Sequence, residues 1–391
     1  MSVVILAVQI MLSGLVSYLL LLTLAAFRAP RRTQFDTAVT HRFLILIPAH
    51  NEEKLLPELL SNLRRLDYPQ ERYAVHVVAD NCTDKTAVIA QQHAAVVHER
   101  FHDQLRGKGY ALQWLLQRLW DSNVPHDGIV ILDADSVVSP NFLQVMNARL
   151  ARGERAVQAY YAVSAPEQSN STALRYAALS VLHYLRPQGR MVLGGSAGLK
   201  GNGMMFAADM LRQYEWSASL TEDIEFHMQL IMADERVMFA PDAVVWAEMP
   251  DSLAGSNSQN ARWERGRLEM IRRYVPTLLL RSVRDWNFVL FDAALEQLIP
   301  PFSILLGLSL LSGLTAVLFP PTRLPGLVLA LFTLSGQAVY LLAGLKLAQA
   351  PDTVYRALWG IPRFLVWKIG LYLRVLLGRN EESWIRTARN D

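Results

Sequence analysis

The sequence predicts an α/β domain with a doubly wound sheet, set between apolar segments long enough to cross a membrane. Three observations predict it. The apolar content is high, at 52% with only 19% charged residues against about 25% in an ordinary soluble domain, and it is concentrated in uncharged runs near both ends. Between residues 40 and 275, short β-branched runs alternate with helical periodicity. The polar motifs begin where those runs stop: Pro48-Ala49-His50-Asn51-Glu52, Ala79-Asp80-Asn81-Cys82-Thr83-Asp84 and Asp133-Ala134-Asp135. A mean hydropathy of +0.17 excludes a disordered chain, and a single cysteine, Cys82, excludes a disulfide scaffold.

The first element is the uncharged run 3–27. It is longer than the core of a signal peptide and has no Lys or Arg before it, so a retained transmembrane helix over residues 1–27 is expected. Arg28, Arg31, Arg32 and Arg42 follow it, against Asp36 alone. That bias places its end, and the catalytic domain, in the cytoplasm of a multi-pass cell-membrane protein. Residues 297–346 hold two more uncharged runs, 297–321 and 324–345, split by a Pro-rich turn. These predict two further spans, about three in all.

Residues 281–296 are amphipathic and carry Asp292 and Glu296, which predicts an interfacial helix. In 361–377, Arg363, Lys368 and Arg374 interleave with Phe364, Trp367 and Tyr372, so 353–391 reads as a second amphipathic interfacial helix with a tail. The last forty residues carry seven Lys/Arg against four Asp/Glu. Next to apolar runs, such charge suits membrane lipid rather than nucleic acid.

In the middle, 43–47 (FLILI), 75–78 and 129–132 read as strands of a sheet covered on both faces. In 52–66, Leu55, Leu56, Leu59, Leu60, Leu63 and Leu66 mark one helix face, with Asn51 available as its N-cap. In such a sheet, ligands bind at the carboxyl ends of the strands.

Asp133 and Asp135 are the sharpest local signal. On an extended backbone they share a side and suit one hard divalent cation, Mg²⁺ or Mn²⁺; a strand-end turn with two solvated acids is the alternative. Asp80 and Asn81 could hydrogen-bond a base or cap the next helix. Lys108, in Arg106-Gly107-Lys108-Gly109, could approach a diphosphate or face solvent. Thr221-Glu222-Asp223 opens a helical pattern, so Glu222 and Asp223 either favour the helix dipole or put a general base into the cleft. Gln259, Arg262 and Trp263 share one helical face, offering an amide, a guanidinium for phosphate and a platform for a sugar ring. Gly201-Asn202-Gly203 permits close backbone approach.

The ordered series IPAHNEE, ADNCTD, GKGYAL, DAD, GNGMMF, TED and QNARW resembles the membrane-bound family 2 glycosyltransferases, over about residues 43–265. The Q-x-x-R-W motif with an upstream T-E-D is associated with cellulose, chitin, hyaluronan and poly-N-acetylglucosamine synthases. The resemblance implies a GT-A fold with a mixed sheet and inverting transfer from a nucleotide sugar, expected to be a UDP-sugar. It also implies roles. His50, Asn51, Glu52, Asp80, Asn81 and Lys108 would contact the nucleotide. Asp133 and Asp135 would hold the metal. Asp223, with Glu222 beside it, would be the base. Gln259, Arg262 and Trp263 would bind diphosphate and acceptor. The tail Ser383-Trp384-Ile385-Arg386-Thr387 resembles a gating segment of chitin synthases, so Trp384 and Arg386 would close over the donor. Two departures stand out: Ala79-Asp80 replaces the usual Asp-Asp pair, and three spans are fewer than many polymer-secreting synthases carry. The expected acceptor is a glycan, in envelope or extracellular polysaccharide synthesis. A lipid acceptor used in a single step, a catalytically idle envelope scaffold and a nucleotide-sugar hydrolase are the rivals.

Overall fold

The computed structural model describes residues 2–29, 38, 40–122, 124–216, 219, 221–249, 257–318 and 323–376. The chain opens with α1 (Ser2–Arg28) and enters the α/β domain at β1 (Phe43–Ala49), α2 (Leu56–Leu63), β2 (Tyr73–Asp80), α3 (Thr86–Gln92) and β3 (Val96–Arg100). It continues through α4 (Lys108–Asp121), β4 (Gly128–Ile131), β5 (Ser136–Val138), α5 (Phe142–Ala151) and β6 (Ala156–Val163). Then α6 (Asn170–Leu179) passes through a π-helical turn into α7 (Arg186–Val192), followed by β7 (Met204–Ala207), α8 (Met210–Gln213), α9 (Glu222–Met232) and β8 (Val237–Ala247). The last part is helical: α10 (Asn257–Arg284), α11 (Phe288–Leu298), α12 (Phe302–Leu318), α13 (Arg323–Leu347), α14 (Asp352–Ala357) and α15 (Ile361–Leu376).

The eight strands form one mixed sheet in the order β3-β2-β1-β4-β7-β6-β8-β5. β1 is parallel to β2 on one side and to β4 on the other; β7 runs antiparallel to both its neighbours. The alternation along β1 explains the two-sided burial. Phe43, Ile45 and Ile47 enter the core under α2, where Leu56, Leu59, Leu60 and Leu63 meet them. Leu44 and Leu46 enter the opposite core with Leu112, Leu115, Leu116 and Leu119 of α4. Because β2 and β4 leave β1 in opposite directions, a crevice opens at the carboxyl ends of these three strands, as at other switch points of doubly wound sheets.

Two local expectations differ. Asn51 does not cap α2, which starts at Leu56; it sits in a turn at φ 56°. Residues 281–296 are not one helix. α10 ends at Arg284, Trp286 takes φ 48°, and Asn287 restarts the chain as N-cap of α11, accepting from the Val289 and Leu290 amides.

α1 and α13 are each long and apolar enough to cross a membrane, and α11 with α12 forms a third candidate bent by 72°. The bend falls at Pro300-Pro301, where two missing amide hydrogens end α11. Residues 319–322, in the expected turn between spans, lie outside the described residues. Polar side chains join the bundle: Gln9 donates to the carbonyls of Ser312 at 3.0 Å and Gly326 at 3.2 Å, and Gln337 donates to Ser309 Oγ at 2.7 Å. Such bonds hold helices together where no water competes. α15 packs against α10 and α12, and Lys368 makes a buried ion pair of 2.9 Å with Glu264.

A buried ionic ladder joins the bundle to the α/β domain. Arg190 of α7 pairs with Asp292 of α11 at 2.6 Å, with both side chains essentially inaccessible. One turn along, Arg186 pairs with Glu296 at 3.3 Å and donates through Nε to the Tyr340 hydroxyl of α13 at 2.8 Å. Tyr18 of α1 donates to the other oxygen of Asp292. Removing one partner of such a pair strands the other charge, at a cost of about 3–5 kcal/mol. Asp292→Ala is therefore expected to lower the unfolding temperature in detergent sharply, while Arg190→Met with Asp292→Leu recovers most of the loss. Thermal unfolding of the three proteins checks this.

Candidate active site

A cavity of about 570 Å³ lies at the switch point. His50, Glu52, Asp80, Lys108, Asp133, Asp135, Glu222, Asp223 and Trp263 all line it, so nine of the residues singled out in the sequence meet in one place. The segment after β1 is held to the segment after β2 by small polar contacts. His50 Nδ1 donates to the Asp80 carbonyl at 2.7 Å, and the Glu52 amide donates to Thr86 Oγ1 at 2.8 Å.

Asn51 and Asn81 are not among the cavity's lining residues. Asn51 Oδ1 accepts from the Thr83 amide at 2.8 Å, and Asn81 Oδ1 accepts from the His102 amide at 2.9 Å. They shape the loops around the crevice. Asp80 lines the cavity, but its Oδ1 is held in a buried ion pair by Arg100 of β3, a partner the sequence did not suggest.

Asp133 and Asp135 follow β4 in a turn rather than on an extended backbone. The turn is pinned by Asn202, whose Oδ1 accepts from the Asp133 amide at 3.1 Å and whose Nδ2 donates to Ser136 Oγ at 2.7 Å. Gly201 takes φ +79° here, a backbone region that disfavours side-chain-bearing residues. Lys108 Nζ, from the first residue of α4, donates to Asp133 Oδ1 at 2.6 Å and to the Gly201 carbonyl. Burial alone would pull the Lys108 ammonium down, but Asp133, Glu222 and Asp223 outweigh it and hold it above the usual lysine range.

Glu222 and Asp223 form the first turn of α9, with Thr221 as N-cap residue. The Thr221 side chain makes no capping bond; its buried hydroxyl has no hydrogen-bond partner among the described residues. α10 approaches this residue closely. A Cβ on Gly266 would stand 2.2 Å from Thr221 Cγ2, so only glycine lets this helix lie against the start of α9. That packing carries Trp263, 36% exposed, to the cavity. Gln259 and Arg262 occupy the opening turns of α10; their side chains, like Trp384 and Arg386, lie outside what the structure describes. Burial pushes the Asp223 carboxyl above its ordinary value, with Lys108, the Ile224 amide and Lys200 pulling the other way.

Sequence reasoning missed the far side of the cavity, lined by Arg186, Arg190, Lys200, Arg267 and Glu296. A signal existed. Arg186/Arg190 and Asp292/Glu296 are both i,i+4 pairs in apolar surroundings, as expected of two helices that zip together.

The arrangement suits chemistry on a phosphorylated substrate: carboxylates for a cation, a lysine for an anion, and a raised carboxyl that can accept a proton. The sign of its pH response follows. A base with a raised pKa is protonated and inactive over a wider acid range, so kcat/KM should fall on acidification with a midpoint above 3.8, the ordinary Asp value. Lys108→Met removes a cation that lowers this pKa and should move the acid limb to higher pH. A pH–rate profile of both proteins checks it.

The sequence profile of the family described as glycosyltransferase like family 2 matches residues 41–266, more than half of the chain. A beta-monoglucosyldiacylglycerol synthase from Nostoc sp. is 28% identical over 279 residues, 68% of this chain and 58% of that protein. A poly-beta-1,6-N-acetyl-D-glucosamine synthase from Staphylococcus epidermidis is 22% identical over 248 residues, 61% of this chain and 58% of its own length. The chain thus spans under two thirds of these relatives. A solved mannosyltransferase from Pyrobaculum calidifontis, in complex with GDP-Man and Mn²⁺, shares the fold with a TM-score of 0.53 at 19% identity, covering 87% of this chain and 97% of that one.

Proposed function

The chain belongs to glycosyltransferase like family 2, and from that premise we propose that it transfers one sugar from a nucleotide-sugar donor to a hydroxyl of a lipid acceptor at the membrane surface. The sheet is of the GT-A type, and family 2 enzymes act on nucleotide sugars. One observation carries the lipid assignment. The cavity that holds Lys108, Asp133 and Asp223 at one end continues to an apolar wall of Phe302, Leu306, Leu341, Ile361 and Phe364, from α12, α13 and α15. A growing glycan needs hydroxyl-matching polar walls; acyl chains need this one. The Nostoc relative, named for a glucosylated diacylglycerol, supports the same reading. The arginine that ends α1 favours a cytoplasmic catalytic domain.

In this reading His50 and Asp80 contact the nucleoside, Lys108 binds the diphosphate, and Trp263 offers the sugar an aromatic face. The acceptor hydroxyl is held beside Asp223. Its oxygen bonds to the anomeric carbon as the bond from that carbon to the diphosphate oxygen breaks, and its proton goes to Asp223. The configuration inverts, and the products are the glycolipid and the nucleoside diphosphate. Glu222 stays beside the base and, with Asp223, supports the charge on Lys108.

Asp133 and Asp135 fit a divalent cation in donor type. They are two hard carboxylates next to a phosphate-binding lysine, and among the described residues no third His, Cys, Asp or Glu joins them in a cluster. Such a pair suits Mg²⁺ or Mn²⁺ that takes its remaining oxygens from a diphosphate and water. When bound, the cation neutralises charge on the leaving group.

Purified protein in lipid nanodiscs, given radiolabelled UDP- and GDP-sugars, should label a lipid-extractable product and release nucleoside diphosphate. Label appearing only in water-soluble polymer would defeat the lipid assignment. Asp223→Asn should lower kcat by roughly 10²–10⁴-fold with donor affinity retained, and EDTA should weaken nucleoside diphosphate binding. Near-parental turnover of Asp223→Asn would remove it as the base.

A further inference from the structure

The stretch between α6 and α7 is a π-helical turn, Ser180–Leu185. Turns of this kind are rare and recur at functional sites. Val181, Leu182 and His183 of the turn line the cavity. The buried His183 ring is held in two ways by Tyr161 of β6. The two rings stack with centroids 5.1 Å apart at 23°, and His183 Nδ1 donates to the Tyr161 carbonyl at 3.1 Å. That bond fixes the tautomer. A carbonyl can only accept, so the proton stays on Nδ1 and the lone pair on Nε2. Burial, reinforced by Lys200 and opposed by the Tyr161 carbonyl and Glu296, pushes the imidazole down to about 3, so the ring stays neutral. Among the described residues Nε2 has no hydrogen-bond partner. The cavity wall therefore carries a neutral, oriented acceptor with no donor.

We infer that His183 Nε2 receives a second hydrogen-bond donor of the acceptor lipid, a hydroxyl or amide N–H other than the hydroxyl that reacts. The inference rests on the lipid reading above and narrows it. One hydroxyl cannot serve both residues, because its single proton goes to Asp223 in the proposed transfer. A diacylglycerol has no other donor; a monoacylglycerol, a ceramide or a glycosylated lipid has one. The surroundings suit a lipid headgroup. Lys200 acts electrostatically on both His183 and Asp223, and all three line the same cavity as Phe302, Leu306 and Phe364 of the apolar wall. Two carboxylates that also line it are already engaged, Glu296 by Arg186 at 3.3 Å and Glu264 by Lys368 at 2.9 Å. An enclosed acceptor left without a donor is costly, so this nitrogen discriminates against a lipid that lacks the second donor.

Calorimetry on the full chain in nonionic detergent, with UDP present, tests it with a matched pair of lipids. Monodecanoylglycerol carries two hydroxyls; the decanoyl monoester of trimethylene glycol keeps the chain and the primary hydroxyl but lacks the second. The parent protein should bind monodecanoylglycerol about tenfold tighter, the worth of one enclosed hydrogen bond. His183→Asn keeps a donor for the Tyr161 carbonyl but removes Nε2, and should bind the two lipids equally. His183→Gln offers an amide oxygen in place of Nε2 and should recover part of the preference, with UDP affinity unchanged in both variants. Equal binding of the pair by the parent protein overturns the inference and leaves the lipid reading standing. A preference that survives in His183→Asn also overturns it and places the second donor elsewhere, for example on Glu248, which lines the same cavity. Loss of UDP affinity in both variants makes His183 a structural or donor-site residue and overturns it as well. If neither lipid binds, the lipid reading itself fails, and the inference with it.

Discussion

The architecture depends on the buried pairing of Arg190 with Asp292. It joins a short helix at the back of the α/β domain to a helix at the start of the membrane bundle, in a place that excludes water from both side chains. An ion pair so placed adds little net stability over an apolar contact, because desolvation offsets attraction. What it supplies is position. Any slip of α11 along α7 leaves a charge uncompensated, so only one register is tolerated. Arg186 with Glu296 repeats the constraint one turn on, and Tyr18 and Tyr340 extend it to α1 and α13.

That register has consequences for the site. With α11 and α12 fixed against the domain, Phe302 and Leu306 become a wall of the cavity whose other wall is the ends of β1, β2 and β4. With α10 fixed by Gly266 on Thr221, Trp263 reaches the same space. The cavity therefore joins the carboxylates at the strand ends, Asp133, Asp135, Glu222 and Asp223, to an apolar wall from the helical bundle. Asp223, the proposed proton acceptor, lines this space, and burial there raises its pKa.

Much of the domain was legible in the sequence. Two-sided burial of FLILI could be read from its unbroken apolar run, and the polar motifs placed the crevice at the strand ends. The boundary errors have local causes. Asn51 has the chemistry of a cap, yet it is used in a left-handed turn, because its side chain serves the Thr83 amide across the crevice. The 281–296 stretch has one amphipathic pattern but is divided at Trp286 and Asn287, since Asn287 caps a new helix more favourably than it would continue the old one.

By itself, the sequence determined the sheet's composition, the apolar segments and the identity of the residues that gather at the crevice, because hydrophobic periodicity and strand-end position are local properties of the chain. Only the tertiary structure decided which of those residues face the cavity, that Asn51 and Asn81 bind loops instead, that Asp80 is held by Arg100, and that Arg186, Arg190, Lys200 and Arg267 gather around Glu296. These outcomes depend on contacts between segments as far apart as residues 190 and 292. The energy of a charge there is set by what surrounds it in space, which no stretch of sequence around either residue contains.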